Sequence, residues 1–171
     1  MKNFQRLLLT GIVIMCTLMG SAQQAKPRVS PARAETGRIS GAGISIHYSS
    51  PSVKGRTIWG ALVPYDSVWR AGANEATVFE TDKDIKVQGM LLPAGKYSFF
   101  LLPRKNAAWT AIFNKVAVQW GAFHYDETKD QLRVEVKPVA LRDSVEALNY
   151  MITRKGFSLN WEMISVPVSI K

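Results

Sequence analysis

Ten consecutive residues, Val68-Trp69-Arg70-Ala71-Gly72-Ala73-Asn74-Glu75-Ala76-Thr77, hold most of the chemistry available to this chain. They place an indole, a guanidinium, an amide, a carboxylate and a hydroxyl side by side, with Gly72 and small alanines leaving room for the backbone to turn. The planar fork of Arg70 can hold a carboxylate on one edge and a ligand's carboxylate, phosphate or sugar hydroxyls on the other. Asn74 and Thr77 can serve the same ligand, or satisfy nearby backbone groups as amides and hydroxyls in turns usually do. Glu75 has two readings. Paired with Arg70 or Arg56 it ties the loop down; set about 5 to 10 Å from Asp126 it completes the carboxylate pair of a glycoside hydrolase.

A second polar stretch, Gln119-Trp120-Gly121-Ala122-Phe123-His124-Tyr125-Asp126, is irregular and contains glycine. Trp120 can wall a pocket there, with His124 or Tyr125 near its rim. A zinc site assembled from His47, His124 and Glu75 is conceivable, but the close ligand pairs that usually preorganise such a site are absent from the sequence. No Gly-x-Ser-x-Gly is present to hold a serine nucleophile at a strained turn. Neither a metal nor another cofactor is expected.

The rest of the chain has to position these groups. Lys2 and Arg6 precede an apolar run from Leu7 to Met19 and then Gly20-Ser21-Ala22, so residues 1–22 read as a secretory leader. Its apolar core is shorter than the roughly 20 residues of a membrane span, and no other stretch approaches that length. A lipid anchor on Cys16 is disfavoured, because Met15 is bulky where such a signal needs a small residue. Cleavage after Ala22 would remove the only cysteine, leaving no disulfide and no thiol. The expected mature chain has 149 residues, enough for one domain with its own core, and is placed in the periplasm or outside the cell.

Loss of the leader lowers the formal charge from +9 to +7. That excess suits anionic partners, yet the cations alternate with acids along strands, as in Arg133-Val134-Glu135-Val136-Lys137, and do not form a nucleic-acid footprint. Nucleic acid is therefore not an expected partner. The oligomeric state is not legible.

Residues 23–37, rich in Pro, Ala and Arg, read as an extended basic arm, and residues 38–171 as the folded domain. Strands are expected over Ile44 to Tyr48, Thr57 to Val63, Thr77 to Thr81, Asp84 to Met90, Lys96 to Leu102, Trp109 to Asn114 and Leu132 to Val136, and again from Phe157. Gly89 suggests a bulge. Tyr97, Phe99 and Leu101 fall on one face of their strand and Phe100 and Leu102 on the other, so both faces should be covered. The apolar phase slips after Met163, which predicts a bulge or a change of sheet there. Leu141, Val145 and Leu148 suit a short amphipathic helix as well as a strand. The sum is an all-β chain, an antiparallel β-sandwich of jelly-roll or Greek-key type in a single domain. Leu132, Val134, Val136, Phe99, Trp109 and Trp161 should share its core.

Lys54-Gly55-Arg56, the stretch Trp69 to Thr77, Leu92-Pro93-Ala94-Gly95-Lys96-Tyr97 and Trp120-Gly121 stand in order. In this the chain resembles the exported bacterial proteins of domain of unknown function family 2911, from about Arg28 to the final strand. The resemblance implies export and a single domain that includes the basic arm. It implies no activity, cofactor or catalytic residue.

Three functions remain open at this point. The first is a non-catalytic binding module that holds a small polar ligand or an envelope glycan with Trp69, Arg70, Asn74, Glu75, Thr77, Trp120, His124 and Tyr125. The second is an envelope glycan hydrolase acting through Glu75 and Asp126. In the third, the polar motif is a buried plug that only fixes the fold.

Overall fold

Alternation with a period of two puts every other residue of a strand on the same face, and this chain buries those faces against each other. The computed structural model describes residues 28–171. The expected leader with Cys16, and residues 23–27 of the expected arm, lie outside the described residues. Ten strands follow in order: β1 (Ala32–Ile39), β2 (Ala42–Ser49), β3 (Thr77–Thr81), β4 (Ile85–Val87), β5 (Met90–Leu92), β6 (Gly95–Leu102), β7 (Trp109–Asn114), β8 (Asp130–Val136), β9 (Val139–Thr153) and β10 (Gly156–Ser169). One 3-10 turn, Glu127–Lys129, precedes β8.

Six strands form an antiparallel sheet in the order β1-β2-β3-β6-β7-β8. The facing layer is the long antiparallel ribbon of β9 and β10. The β4–β5 hairpin joins that layer, where Lys86 N–H donates to the Lys171 carbonyl at 2.8 Å and Lys171 N–H donates back at 2.9 Å. Ser52 bridges to Ala147 of β9. The result is an antiparallel β-sandwich in one domain.

Between the layers, Phe79, Phe99, Phe113 and Phe157 pack with ring centroids 5.1 to 5.4 Å apart, in the tilted and edge-on geometries that the aromatic quadrupole favours. Leu132, Val134, Val136, Trp109 and Trp161 belong to the same core, as expected. At one end Trp59 touches Trp69, Trp109 and Trp161 at 5.7, 4.9 and 6.0 Å, and Trp69 stacks on Trp161 at 5.9 Å.

The two faces of β6 divide as the sequence implies. Tyr97, Phe99 and Leu101 enter the main core, while Phe100 and Leu102 enter a smaller cluster with Ile112. The outer cover is not another sheet. Val68, Ala122 and Tyr125 close that side, so the loop after β7 does the work of a layer.

Several expectations need correction. The chain enters the sheet at Ala32 and not at Arg38, because residues read as an arm pair with β2 from Ala32↔Ser49 to Ile39↔Ala42. Such an edge strand needs backbone partners more than apolar side chains. Thr57 to Val63 is not a strand: Gly60 at φ 85° reverses the chain, and Val63 N–H returns to the Ile58 carbonyl at 2.9 Å. Gly89 marks no bulge. With Gln88 it forms the two-residue turn between Val87 and Met90, both at positive φ. The segment around Leu141 to Tyr150 is extended within β9. The slip in β10 is real and sits at Glu162, where φ is 54° and the register shifts on both sides, turning Met163 out of the core phase.

Candidate functional site

The motif loop is anchored at both ends. Trp69 N–H donates to the Leu101 carbonyl at 2.7 Å and Leu101 N–H returns at 2.9 Å, which fixes Trp69 against the main core and leaves Val68 on the outer cluster. Between the anchors, Ala71 at φ 52° and Asn74 at φ 57° adopt the left-handed conformation. Asn tolerates that region; for alanine it costs about 1–2 kcal/mol. Bonds on every side hold Ala71 there. Its carbonyl accepts the Thr77 hydroxyl at 3.0 Å and the Tyr150 hydroxyl at 2.8 Å. Ala73 N–H donates to Ser49 O at 3.1 Å, Thr77 N–H to Arg70 O at 3.2 Å, and Gly121 N–H to Asn74 O at 3.1 Å. Gly72 fits a gap where a Cβ would be tight, with Thr77 Oγ1 at 3.0 Å and the Ser49 carbonyl at 3.1 Å from where one would stand. Thr77 is thus fully buried and consumed by the loop itself. Burial pushes the Tyr150 phenol well above its ordinary value.

On its open side the loop forms one wall of a cavity of about 410 Å³, lined by Trp69, Arg70 and Asn74 and closed by Lys54 and Arg56, Val29 and Ser30, and Trp161. Asn74 Nδ2 donates to the Ser30 carbonyl at 3.3 Å, tying the entering chain to the motif. Arg56 donates from Nε to the Val53 carbonyl at 3.0 Å and from Nη2 to the Ser52 carbonyl, so it braces its own turn. Lys54 is held by its backbone N–H, which donates to Glu146 Oε1 at 2.9 Å. Its ammonium is in no ion pair among the described residues.

Two residues of this lining each carry a buried nitrogen with no hydrogen-bond partner among the described residues, Arg70 at Nε and Trp161 at Nε1. Trp161 is only 1% exposed. Burial pushes the Arg70 guanidinium below its ordinary value. Its Nη1 lies 3.6 Å from where a Cβ on Gly121 would stand, so the side chain leans over the Gly121 turn. No Asp or Glu lines the cavity.

Other expected site residues lie elsewhere. After the left-handed Asn74, the Glu75 carboxylate meets Arg28, whose Nη1 donates to both of its oxygens at 2.8 and 2.9 Å, and the Ser49 hydroxyl at 3.5 Å. Neither Arg70 nor Arg56 is its partner, and the cation comes from the segment read as an arm. Its own backbone N–H, and after it Arg28 and Ser49, holds the Glu75 carboxyl below the usual range against a counteracting effect of burial. His47 lies with Glu75 on a separate cavity of about 260 Å³.

Trp120, His124, Tyr125 and Asp126 belong to the loop over the outer face. Trp120 is 56% exposed, with its backbone bridged to Glu75. His124 is exposed. Tyr125 packs edge-on against Phe100 at 5.2 Å and donates to Asp130, while Arg133 donates to both Tyr125 Oη and Asp130 Oδ2 at 2.8 Å. Burial, and then Asp130, pushes the Tyr125 phenol well up. Asp126 caps the 3-10 turn by accepting from Thr128 N–H at 2.9 Å and the Thr128 hydroxyl at 2.7 Å, which hold its carboxyl below the usual range. Among the described residues no three His, Cys, Asp or Glu side chains are grouped to hold a metal.

The structure therefore joins Trp69, Arg70 and Asn74 round one cavity and leaves Glu75, Thr77, Trp120, His124 and Tyr125 off its lining. Sequence reasoning missed Trp161, Lys54 and Ser30 as lining. The Lys54-Gly55-Arg56 turn carried a signal, since two cations beside a glycine face whatever the loop faces; Trp161 carried none beyond its strand phase.

A family model described as "Protein of unknown function (DUF2911)" matches residues 30–170. No curated protein and no solved structure matches the chain.

Proposed function

The chain belongs to that family, and from this premise we propose that it is an exported, non-catalytic module that binds a small polar ligand or a glycan in the cavity between the Arg70 loop and the Lys54–Arg56 turn. One observation carries the reading: Trp161 and Arg70, two residues of the same cavity lining, each hold a buried nitrogen without a partner among the described residues. Buried polar groups are nearly always paired, and one left unpaired costs about 1–3 kcal/mol, which a bound ligand would recover. Cavities of this volume suit ligands of sugar size.

The hydrolase reading has less support. A general acid at neutral pH needs a raised carboxyl pKa, whereas Glu75 and Asp126 are both held down. The purely structural reading fits the inner half of the motif, where Thr77 and Tyr150 saturate the Ala71 carbonyl. It leaves the two orphan donors without a reason.

Export rests on the apolar leader, and no helix among the described residues is long and apolar enough to cross a membrane. Native mass spectrometry of protein recovered from the envelope or the medium tests the binding reading. The expected result is a released small molecule or glycan, with a lowered yield from Asn74→Ala. A bare chain, together with a melting temperature that envelope extract does not move, would overturn it.

A further inference from the structure

We propose that the ligand of this cavity is an anion, a molecule bearing a carboxylate or phosphate on a sugar-like or flat apolar body. The inference rests on the binding reading above and narrows it. Three cationic residues, Lys54, Arg56 and Arg70, line the cavity, and none of its lining residues is acidic. The nearest acid in the motif, Glu75, is turned to a different cavity and already neutralised by Arg28. The cavity therefore carries positive charge with no counter-charge on its walls.

The hydrogen-bonding inventory points the same way. The unpartnered nitrogens of the two lining residues, Arg70 Nε and Trp161 Nε1, are both donors; an arginine and an indole side chain have no acceptor to offer. Arg56 spends two donors on its own turn and has others left. A site made of unsatisfied donors and cations is complemented by acceptors and negative charge, which a carboxylate or phosphate supplies together. A neutral sugar would leave the charge uncompensated. Trp69, half-buried on the lining, provides the surface for the body of the ligand, as aromatic faces do for sugar rings and flat groups.

The indole N–H of Trp161 is the reporter. In proton–nitrogen correlation spectra of the exported chain at constant ionic strength, glucose 6-phosphate, glucuronate and glucose are titrated separately. Both anions should move the Trp161 indole signal and bind at least about tenfold more tightly than glucose, as charge-assisted bonds outweigh neutral ones. Lys54→Gln should weaken both anions about three- to tenfold and leave glucose unchanged. This exposed position serves better than Arg56, whose side chain braces a turn, and Trp161→Phe, which keeps a ring in the core, should abolish the signal and weaken anion binding.

Equal affinity for glucose and the anions would overturn the anion class and leave the binding reading intact. A silent indole with both anions overturns it as well. A neutral molecule found in the native mass spectrum would then keep the binding reading, and an empty one would remove both.

Discussion

Trp161 separates burial from hydrogen bonding in a single side chain. Its ring is sealed in the core while its N–H has no partner, so Trp161→Ala should cost about 3–5 kcal/mol as a large aromatic lost from a core. Trp161→Phe should cost only about 1–2 kcal/mol, because the volume change is small and no internal hydrogen bond is lost. Urea melts of the two variants check this; equal losses would mean that the N–H is paired in solution. Gly72 makes the opposite case, where adding one methyl group is harmful. A Cβ there would stand 3.1 Å from the Ser49 carbonyl at the end of β2, backbone that would have to shift by a few tenths of an ångström. Gly72→Ala should destabilise by about 1–3 kcal/mol, as overpacking does, and loosen the cavity wall.

Among the elements, the bulge in β10 and the clasp on the entering chain invite direct tests. Glu162 sits at φ 54° inside a strand, so Glu162→Val should melt below Glu162→Gly by the equivalent of about 1–2 kcal/mol, since only glycine takes that conformation without cost. Arg28→Ala removes the ion pair that fastens residues 28–30; trypsin should then cut at Arg33 faster than in the parent chain. These elements also show what a sequence reveals. The two faces of β6 were legible residue by residue, because a period of two in large apolar side chains leaves little choice of core. The slip near Met163 was legible for the same reason. Strand β1 was not, since Ala32-Arg33-Ala34-Glu35 joins its neighbour by backbone bonds that any side chain permits. The direction of Glu75 was equally hidden: it depends on a left-handed Asn74, and no periodicity reports a single torsion angle. The motif was therefore found, but its split into a wall and an outward-facing ion pair was not.

For the molecule as a whole, the shifted groups bracket its stability against pH. Glu75 and Asp126 have folded values below their unfolded ones, so their contribution is complete above the ordinary carboxylate range of about 4 and is lost as pH falls through the lower folded values. Tyr48, Tyr97, Tyr125 and Tyr150 are shifted upward from 10, chiefly by burial. Their contribution is complete below pH 10 and is lost as pH rises through the folded values. The melting temperature should fall on both flanks, and Glu75→Gln should flatten only the acid flank; differential scanning calorimetry across pH measures both. Intact mass of the exported chain should begin at Gln23, and a retained Cys16 carrying lipid would refute the leader boundary.

The walls of the cavity come from Val29, Lys54, Trp69 and Trp161, residues far apart along the chain, and this has a consequence for how a ligand would be felt. No partial opening can keep such a site intact, so an occupant binds the closed chain alone and adds RT ln(1 + [L]/Kd), about 2.7 kcal/mol at a hundredfold excess over Kd. In hydrogen–deuterium exchange that increment would appear at the slowest amides, which exchange only through global unfolding, and in equal measure in both sheets. Occupancy could thus be measured in the strands farthest from the ligand.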